Sequence, residues 1–148
     1  MVIKRVDSSS IDFQNLVQFL DADLAVRDGD DHDFYHQFNK IDMLKNCIVV
    51  YVDGIAAACG AFKPFSEDTM EIKRMYTNPE YRGKGLASEI LNELEAWAKE
   101  SGYEKCILET GIMQPEAIAL YEKKGYHRIA NYGQYAGIEN SVCFEKRV

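Results

Sequence analysis

The stretch YRGKGLA at positions 81–87 lies between a β-prone segment and a long amphipathic repeat. The segment before it, Met70–Thr77, is predicted to be a strand, and Pro79 ends it because proline cannot donate to a strand ladder. Leu86–Glu100 repeats apolar residues at helical spacing. A strand, a glycine loop and a helix start together predict an anion-binding site. Glycines let a ligand approach the backbone, and the first helical N–H groups are free to donate.

The ligand of this anion-binding site is predicted to carry phosphate, because Arg82 and Lys84 add positive charge to the loop. The loop is not a Walker A loop, since Gly85 follows Lys84 where that motif requires Ser or Thr, and no G-x-G-x-x-G run is present. The spacing Arg82-x-x-Gly85-x-Ala87 instead resembles the Gln/Arg-x-x-Gly-x-Gly/Ala signature of the GNAT superfamily of N-acetyltransferases. In that family the loop binds the pyrophosphate of acetyl-coenzyme A. The alternative is a helix start with a basic loop and no ligand.

The length and charge of the chain restrict its function. At 148 residues it is predicted to form one domain over positions 1–148, which the resemblance makes an N-acetyltransferase domain. The formal net charge of −7 argues against a general nucleic-acid binder, which would carry a basic face. The same charge slightly favours a cationic or amine substrate.

The N-terminus and the cysteines predict a cytosolic chain. Lys4 and Arg5 interrupt the stretch where a signal peptide needs an apolar core, and no apolar run is long enough to span a bilayer. The cysteines are far apart and no C-x-x-C pair is present, so they are predicted to be buried thiols rather than metal ligands. They are Cys47, Cys59, Cys106 and Cys143. No metal site and no membrane partner are expected.

Apolar periodicity and turn residues predict the element order β-α-α-β-β-β-α-β-α-β-β. The predicted elements are Val2–Val6, Ile11–Val26, His32–Asn39, Cys47–Val52, Ile55–Phe62, Met70–Thr77, Leu86–Glu100, Lys105–Thr110, a helix from Pro115 that stops at Gly125, Tyr126–Ile129 and Ser141–Lys146. Asp53-Gly54 is the strongest hairpin signal. This is an α+β fold, and its order resembles that of the GNAT fold, a mixed and mostly antiparallel sheet flanked by helices.

The resemblance implies which residues hold acetyl-coenzyme A. In this family the strand before the loop splays from its neighbour, so its backbone groups pair with the pantetheine arm. Gln114 stands where many members have an asparagine that touches the same arm. The implied cofactor-binding residues are Met75, Tyr76, Thr77, Arg82, Gly83, Lys84, Gly85, Leu86, Ala87 and Gln114.

The resemblance also implies an acid and a base. The stretch LYEKKGY at 120–126 is similar to the family pattern Leu-Tyr-Glu-Lys-x-Gly-Phe, whose tyrosine lies at the cofactor sulfur. Tyr121 is therefore the predicted donor of a proton to the leaving thiolate, since a phenol is protonated at neutral pH. Glu71 is the predicted general base for the amine, because some members carry a glutamate at this offset. Glu109 and a water relay are the alternatives.

The predicted function is an acetyl-coenzyme A-dependent N-acetyltransferase that acts on a primary amine of a small molecule or peptide by direct attack in a ternary complex. The alternatives are a regulatory domain that binds acyl-coenzyme A without turnover and a transferase of a longer acyl chain. A homodimer is compatible with the resemblance. The candidate acceptor-site residues are Arg27, Asp30, Tyr35, Tyr132 and Tyr135.

Overall fold

Seven strands form one sheet in the computed structural model, which describes residues 1–28 and 43–148. The strands are β1 (Val2–Val6), β2 (Asn46–Val52), β3 (Ile55–Pro64), β4 (Thr69–Thr77), β5 (Lys105–Gly111), β6 (His127–Ile129) and β7 (Ser141–Arg147). The helices of the described ranges are α1 (Ile11–Asp28), α2 (Leu86–Glu100) and α3 (Pro115–Lys123), with single 3₁₀ turns at Pro79–Tyr81 and Gly133–Tyr135. No helix in these ranges is long and apolar enough to cross a membrane.

The strand order is β1-β2-β3-β4-β5-β7-β6, and every neighbouring pair except one is antiparallel. The exception is the parallel pair β4–β5, whose register covers only Thr69–Glu71 against Lys105–Ile107. The remaining residues of both strands have no register with each other, so β4 and β5 separate beyond Glu71. This separation is the splay that the family resemblance implies.

The predicted fold class is confirmed, and the predicted strands and helices of the described ranges are all present. The helix predicted at His32–Asn39 lies outside the described residues. Helix α1 ends at Asp28, two residues later than predicted. Strand β6 begins at His127 rather than Tyr126, because the Tyr126 N–H donates to the Tyr121 carbonyl and so belongs to the end of α3.

The two faces of the sheet carry separate apolar cores. Helices α2 and α3 pack on one face, where Ile90, Leu94 and Tyr121 contact strand residues such as Ile72 and Leu108. Helix α1 covers the other face through Phe13, Leu16, Val17 and Leu20, whose spacing of three and four residues places them on one side of the helix. Tyr135 of the β6–β7 connection covers the rest of that second face by packing on Cys143 of β7.

Gly60 allows α2 to approach the centre of the sheet. A Cβ at this position would lie 2.6 Å from Ile90 Cγ2 and 2.6 Å from Met75 Sδ. The β3–β4 register shifts at the same place, because Cys59 pairs with Tyr76 and Ala61 pairs with Lys73. Two residues of β4 therefore oppose Gly60, which forms a β-bulge on β4. The extra residue of this bulge therefore belongs to β4 and not to the strand that carries Gly60.

We expect Gly60→Ala to lower the free energy of unfolding by about 1–3 kcal/mol, because the added methyl group overpacks the contact with α2. Urea unfolding followed by circular dichroism measures the loss. Combining the change with Ile90→Ala removes the stiffer of the two crowding side chains, so the double variant should lose less stability than the sum of the single losses. Additive losses would contradict a steric cause.

Candidate functional site

A cleft of about 400 Å³ runs along the separated ends of β4 and β5. Residues 71–77 of β4 and 108–111 of β5 line it. Leu20 and Leu24 of α1 line it from one face of the sheet, and Tyr121 of α3 lines it from the other. The cleft therefore passes through the sheet where the two strands separate.

The loop before α2 closes one end of this cleft. Gly83 and Gly85 have φ values of +79° and +80°, a conformation that L side chains rarely adopt, and no atom lies within 4 Å of a Cβ at either position. Gly85 is the N-cap of α2 and offers no side chain to the first-turn N–H groups, which leaves them to an anion. Arg82 is fixed beside them, since its Nε donates to the Thr77 carbonyl at 2.9 Å.

Tyr121 lies in the wall of the cleft on the α3 side. The residue is only 6% exposed, and its ring packs edge-on against Tyr126 and tilted against Phe144 at centroid distances of 5.8 and 6.0 Å. Burial, together with the charge of Glu109, raises the pKa of Tyr121 above its usual range. The phenol is therefore protonated at neutral pH and can donate a proton into the cleft.

Glu71 lies where the separation of β4 and β5 begins, and it is 3% exposed. Its Oε2 accepts a hydrogen bond of 2.6 Å from the Tyr132 hydroxyl, and its Oε1 lies 3.9 Å from Lys63 Nζ. Hydrogen bonding and a nearby cation allow a carboxylate to remain buried. Glu71 is thus a fixed carboxylate in the cleft wall.

A second polar group lies next to Glu71 on the same face of the sheet. Lys73 Nζ is 3.4 Å from the Tyr135 hydroxyl, and both residues line the cleft together with Glu109. Burial lowers the pKa of Lys73, while the charges of Glu71 and Glu109 oppose that shift. This end of the cleft is consequently polar and carries both signs of charge.

Arg74 occupies the bulge of β4. Its φ of +62° is left-handed, and its side chain is 2% exposed. Arg74 Nη1 pairs with Asp21 Oδ1 of α1 at 3.0 Å, and the Cys59 thiol lies 3.3 Å from its carbonyl oxygen. Through this ion pair α1 is held against the part of β4 that borders the cleft.

The end of α1 is also tied to α3 across the cleft. Arg27 forms ion pairs with Glu116 of α3 and with Asp23 one turn earlier, and it reaches the Met113 carbonyl at 3.5 Å. Asp23 and Glu116 line the cleft, whereas Arg27 does not. Arg27 thus links two walls of the cleft from outside it.

The cleft brings together most of the residues predicted for the site. Those that line it are Glu71, Met75, Tyr76, Thr77, Arg82, Gly83, Gly85, Leu86, Ala87, Gln114, Tyr121 and, among the acceptor candidates, Tyr135. Lys84 does not line it, and its Nζ lies 5.3 Å from the centre of the Tyr81 ring. Tyr132 does not line it but contacts two residues that do, Glu71 and Tyr135, and Asp30 and Tyr35 lie outside the described residues.

Lys73 and Arg74 were missed by the sequence analysis, although both line the cleft. Lys73 follows Glu71 by two residues, and the period of two in a strand places the pair on one face. That signal was present in the sequence. The bulge that brings Arg74 to α1 has no such local signal, because its extra residue is an arginine rather than a glycine.

The cysteines are buried thiols, as predicted. Burial raises the pKa of Cys47 and Cys106 to about 12 and that of Cys143 to about 11. Within residues 1–28 and 43–148, no group of three or more histidine, cysteine or acidic residues could hold a metal ion.

Comparison with known proteins relates this arrangement to one family. The family model described as the acetyltransferase (GNAT) family matches residues 13–126. Over 100 residues, or 67% of the chain, the sequence is 33% identical to a protein of Azospirillum brasilense named IAA acetyltransferase. The aligned stretch spans 65% of that relative and 27% to 62% of the other curated relatives compared.

Solved structures give the same relation over nearly the whole chain. A provisionally assigned acyl-CoA N-acyltransferase of Klebsiella pneumoniae superposes with a TM-score of 0.83 at 29% identity, covering 99% of this chain and 96% of its own. A provisionally assigned acetyltransferase of Salmonella typhimurium, solved with its cofactor acetyl-CoA, has a TM-score of 0.69 at 16% identity over 99% and 93% of the chains. At that identity the likeness concerns the fold alone.

We expect Asp21→Asn to lower the free energy of unfolding by about 2 kcal/mol, because it removes the ion pair of the buried Arg74. The matched control is Asp23→Asn, which weakens the more exposed pair with Arg27 and should cost less than about 0.5 kcal/mol. Urea unfolding of both variants gives the comparison. Equal losses would show that the pair with Arg74 does not anchor α1.

Proposed function

Since the chain belongs to the GNAT family of acetyltransferases, we propose that it is an acetyl-coenzyme A-dependent N-acetyltransferase. In this proposal residues 1–148 act as one N-acetyltransferase domain. The acceptor is a primary amine of a small molecule or a peptide, which attacks the thioester directly while both substrates are bound.

One observation carries the proposal: the cleft passes through the sheet and joins the start of α2, which has no side-chain cap, to a polar end on the opposite face. A long cofactor can enter from the loop at Gly83 and Gly85, and an amine can reach the same cleft beside Glu71 and Tyr135. Direct transfer requires that the two reactants meet in one fixed geometry, which removes much of the entropic part of the barrier.

The residues of the cleft fit coenzyme A. The first turn of α2 and Arg82 would hold the pyrophosphate, since backbone N–H groups and a guanidinium both prefer anions. Tyr76 and Thr77 pair with β3, Met75 opposes Gly60 at the bulge, and none of the three residues pairs with β5. Their free edge would hold the pantetheine arm by strand-like hydrogen bonds, and Gln114 would contact it from the start of α3. The bound cofactor supplies an acetyl group activated as a thioester.

Tyr121 is the proposed acid of the reaction. Its phenol is protonated at neutral pH, because burial raises its pKa. Donation of this proton to the departing sulfur would neutralise the thiolate as the carbon–sulfur bond breaks.

Glu71 is the proposed base. As a buried carboxylate in the cleft wall, it can accept a proton from the attacking amine. Glu109, which lines the cleft on the neighbouring strand, and a water relay are the alternatives.

Release of free coenzyme A in the presence of amines tests the proposed activity. The panel should include polyamines, aminoglycosides, amino acids and peptide N-termini, each with acetyl-coenzyme A and with longer acyl-coenzyme A substrates. Binding without release for every amine would favour a regulatory binding domain. Faster release from longer acyl chains would favour a different acyl donor.

Coenzyme A should bind at least about tenfold more tightly than pantetheine, because only coenzyme A offers phosphates to the start of α2. Isothermal titration calorimetry measures both affinities. Gly85→Ala should weaken coenzyme A binding, since alanine disfavours a φ of +80° in the loop. Gly54→Ala is the matched control, with the same φ and the same open surroundings in the β2–β3 hairpin. Equal affinity for the two ligands would contradict a phosphate-binding loop.

Tyr121→Phe should lower kcat by about a hundredfold while the affinity for coenzyme A stays unchanged, because a proton given to the leaving thiolate matters in the transition state. Steady-state kinetics and calorimetry separate the two quantities. Tyr126→Phe is the control, since it removes a buried hydroxyl from the same aromatic cluster outside the cleft. A normal kcat in Tyr121→Phe would show that the hydroxyl donates no proton in the reaction and that Tyr121 contributes only to packing.

A further inference from the structure

The β6–β7 connection holds the carboxylate of Glu71 through one side chain, Tyr132. We propose that Tyr132 is a positioning residue, which fixes the Glu71 carboxylate in the geometry needed to take a proton from the amine. This inference rests on the proposed function, because it gives Tyr132 a part in the work of the proposed base.

The hydrogen bond between Tyr132 and Glu71 is short and has a defined donor. The oxygen–oxygen distance is 2.6 Å, within the range of phenol–carboxylate hydrogen bonds. Burial and the neighbouring Glu71 raise the pKa of Tyr132 far above its usual range. The phenol therefore stays protonated and donates a hydrogen bond to Oε2, which leaves Oε1 as the oxygen that can receive a proton from the amine.

Tyr132 is itself held firmly. Its ring packs edge-on against Phe65 of the β3–β4 turn at 5.3 Å and against Tyr135 at 5.8 Å. Tyr135 is 1% exposed, so one side of this aromatic group is anchored in the core. Asn131 Nδ2 donates to the carbonyls of Ile138 and Ser141 at 2.9 and 3.0 Å, which closes the connection on itself. A ring fixed in this way can define the direction of a hydrogen bond.

The other polar neighbours of Glu71 cannot give the same control. Lys63 Nζ is 3.9 Å from Oε1, and its side chain is nearly half exposed, so it restrains the carboxylate weakly. Lys73 has Tyr135 and not Glu71 as its hydrogen-bond partner. Tyr132 does not line the cleft, but it contacts two residues that do, Glu71 through its hydroxyl and Tyr135 through its ring. A change that removes only the hydroxyl would therefore act on the reaction through Glu71.

The test is a double-mutant cycle with Tyr132→Phe and Glu71→Gln, read as kcat and KM for the best amine of the panel. Tyr132→Phe keeps the edge-on ring contacts with Phe65 and Tyr135 and removes only the hydroxyl. We expect it to lower kcat roughly tenfold with little change in KM, because a misplaced base affects the transition state more than binding. In the Glu71→Gln background the same change should have no further effect on kcat.

The matched control is Tyr126→Phe. Tyr126 donates to Glu95 at 2.8 Å, another buried phenol–carboxylate hydrogen bond, but neither residue lines the cleft. This variant should keep the kcat of the wild-type protein while losing a similar amount of stability in urea unfolding. Equal losses of kcat in Tyr126→Phe and Tyr132→Phe would indicate a general structural effect and overturn the positioning role.

Two further results would overturn the proposal. A loss of kcat from Tyr132→Phe that is equally large in the presence and absence of Glu71 would show that Tyr132 acts by another route, and an unchanged kcat would show that it does not act at all. Neither result contradicts the proposed acetyltransferase function, because the wild-type protein acetylates the amine in both cases. A wild-type protein that binds coenzyme A but acetylates no amine overturns the proposed function, and the positioning role with it.

Discussion

The short parallel seam between β4 and β5 is the constraint on which the rest of the structure depends. Strand β4 pairs with β3 along most of its length, but it pairs with β5 at only three positions. Beyond Glu71 the edges of β4 and β5 that face each other have no strand partner among residues 1–28 and 43–148. An edge of this kind can recruit an extended ligand by main-chain hydrogen bonds, as an added strand does.

The bulge at Arg74 reinforces that separation. An extra residue increases the local twist of a strand, and here it does so within the segment that leaves β5. A left-handed arginine costs about 1 kcal/mol or more of backbone strain. Its ion pair with Asp21 of α1 offsets part of this cost, and Gly60 on the opposite strand leaves the room that α2 needs. Backbone strain, an ion pair with α1 and close packing of α2 thus all occur at the bulge of β4.

Local sequence patterns predicted the parts of this architecture that depend on neighbours in the chain. The Asp53-Gly54 turn has positive φ at both positions, and α2 has the predicted bounds, because turn chemistry and apolar spacing determine both locally. The contact of Tyr132 with Glu71 joins residues 61 positions apart, and no local signal encodes it. The link from Arg27 to α3 was missed for the same reason. The glycine loop was predictable in position, since the positive φ values of Gly83 and Gly85 depend on a few consecutive residues.

The three-pair seam has a consequence for how the chain folds. Strands β2, β3 and β4 follow one another in sequence and pair as antiparallel neighbours, and β5, β6 and β7 form a second antiparallel group. Each group can assemble from contacts that are close along the chain, whereas the seam between them must wait for the crossover through α2. Because few hydrogen bonds join the groups, their docking depends on apolar contacts with α2. A cofactor bound across the seam would contact both strand groups and stabilise their docking. The stability of the folded protein would then rise with the fraction of protein that has cofactor bound.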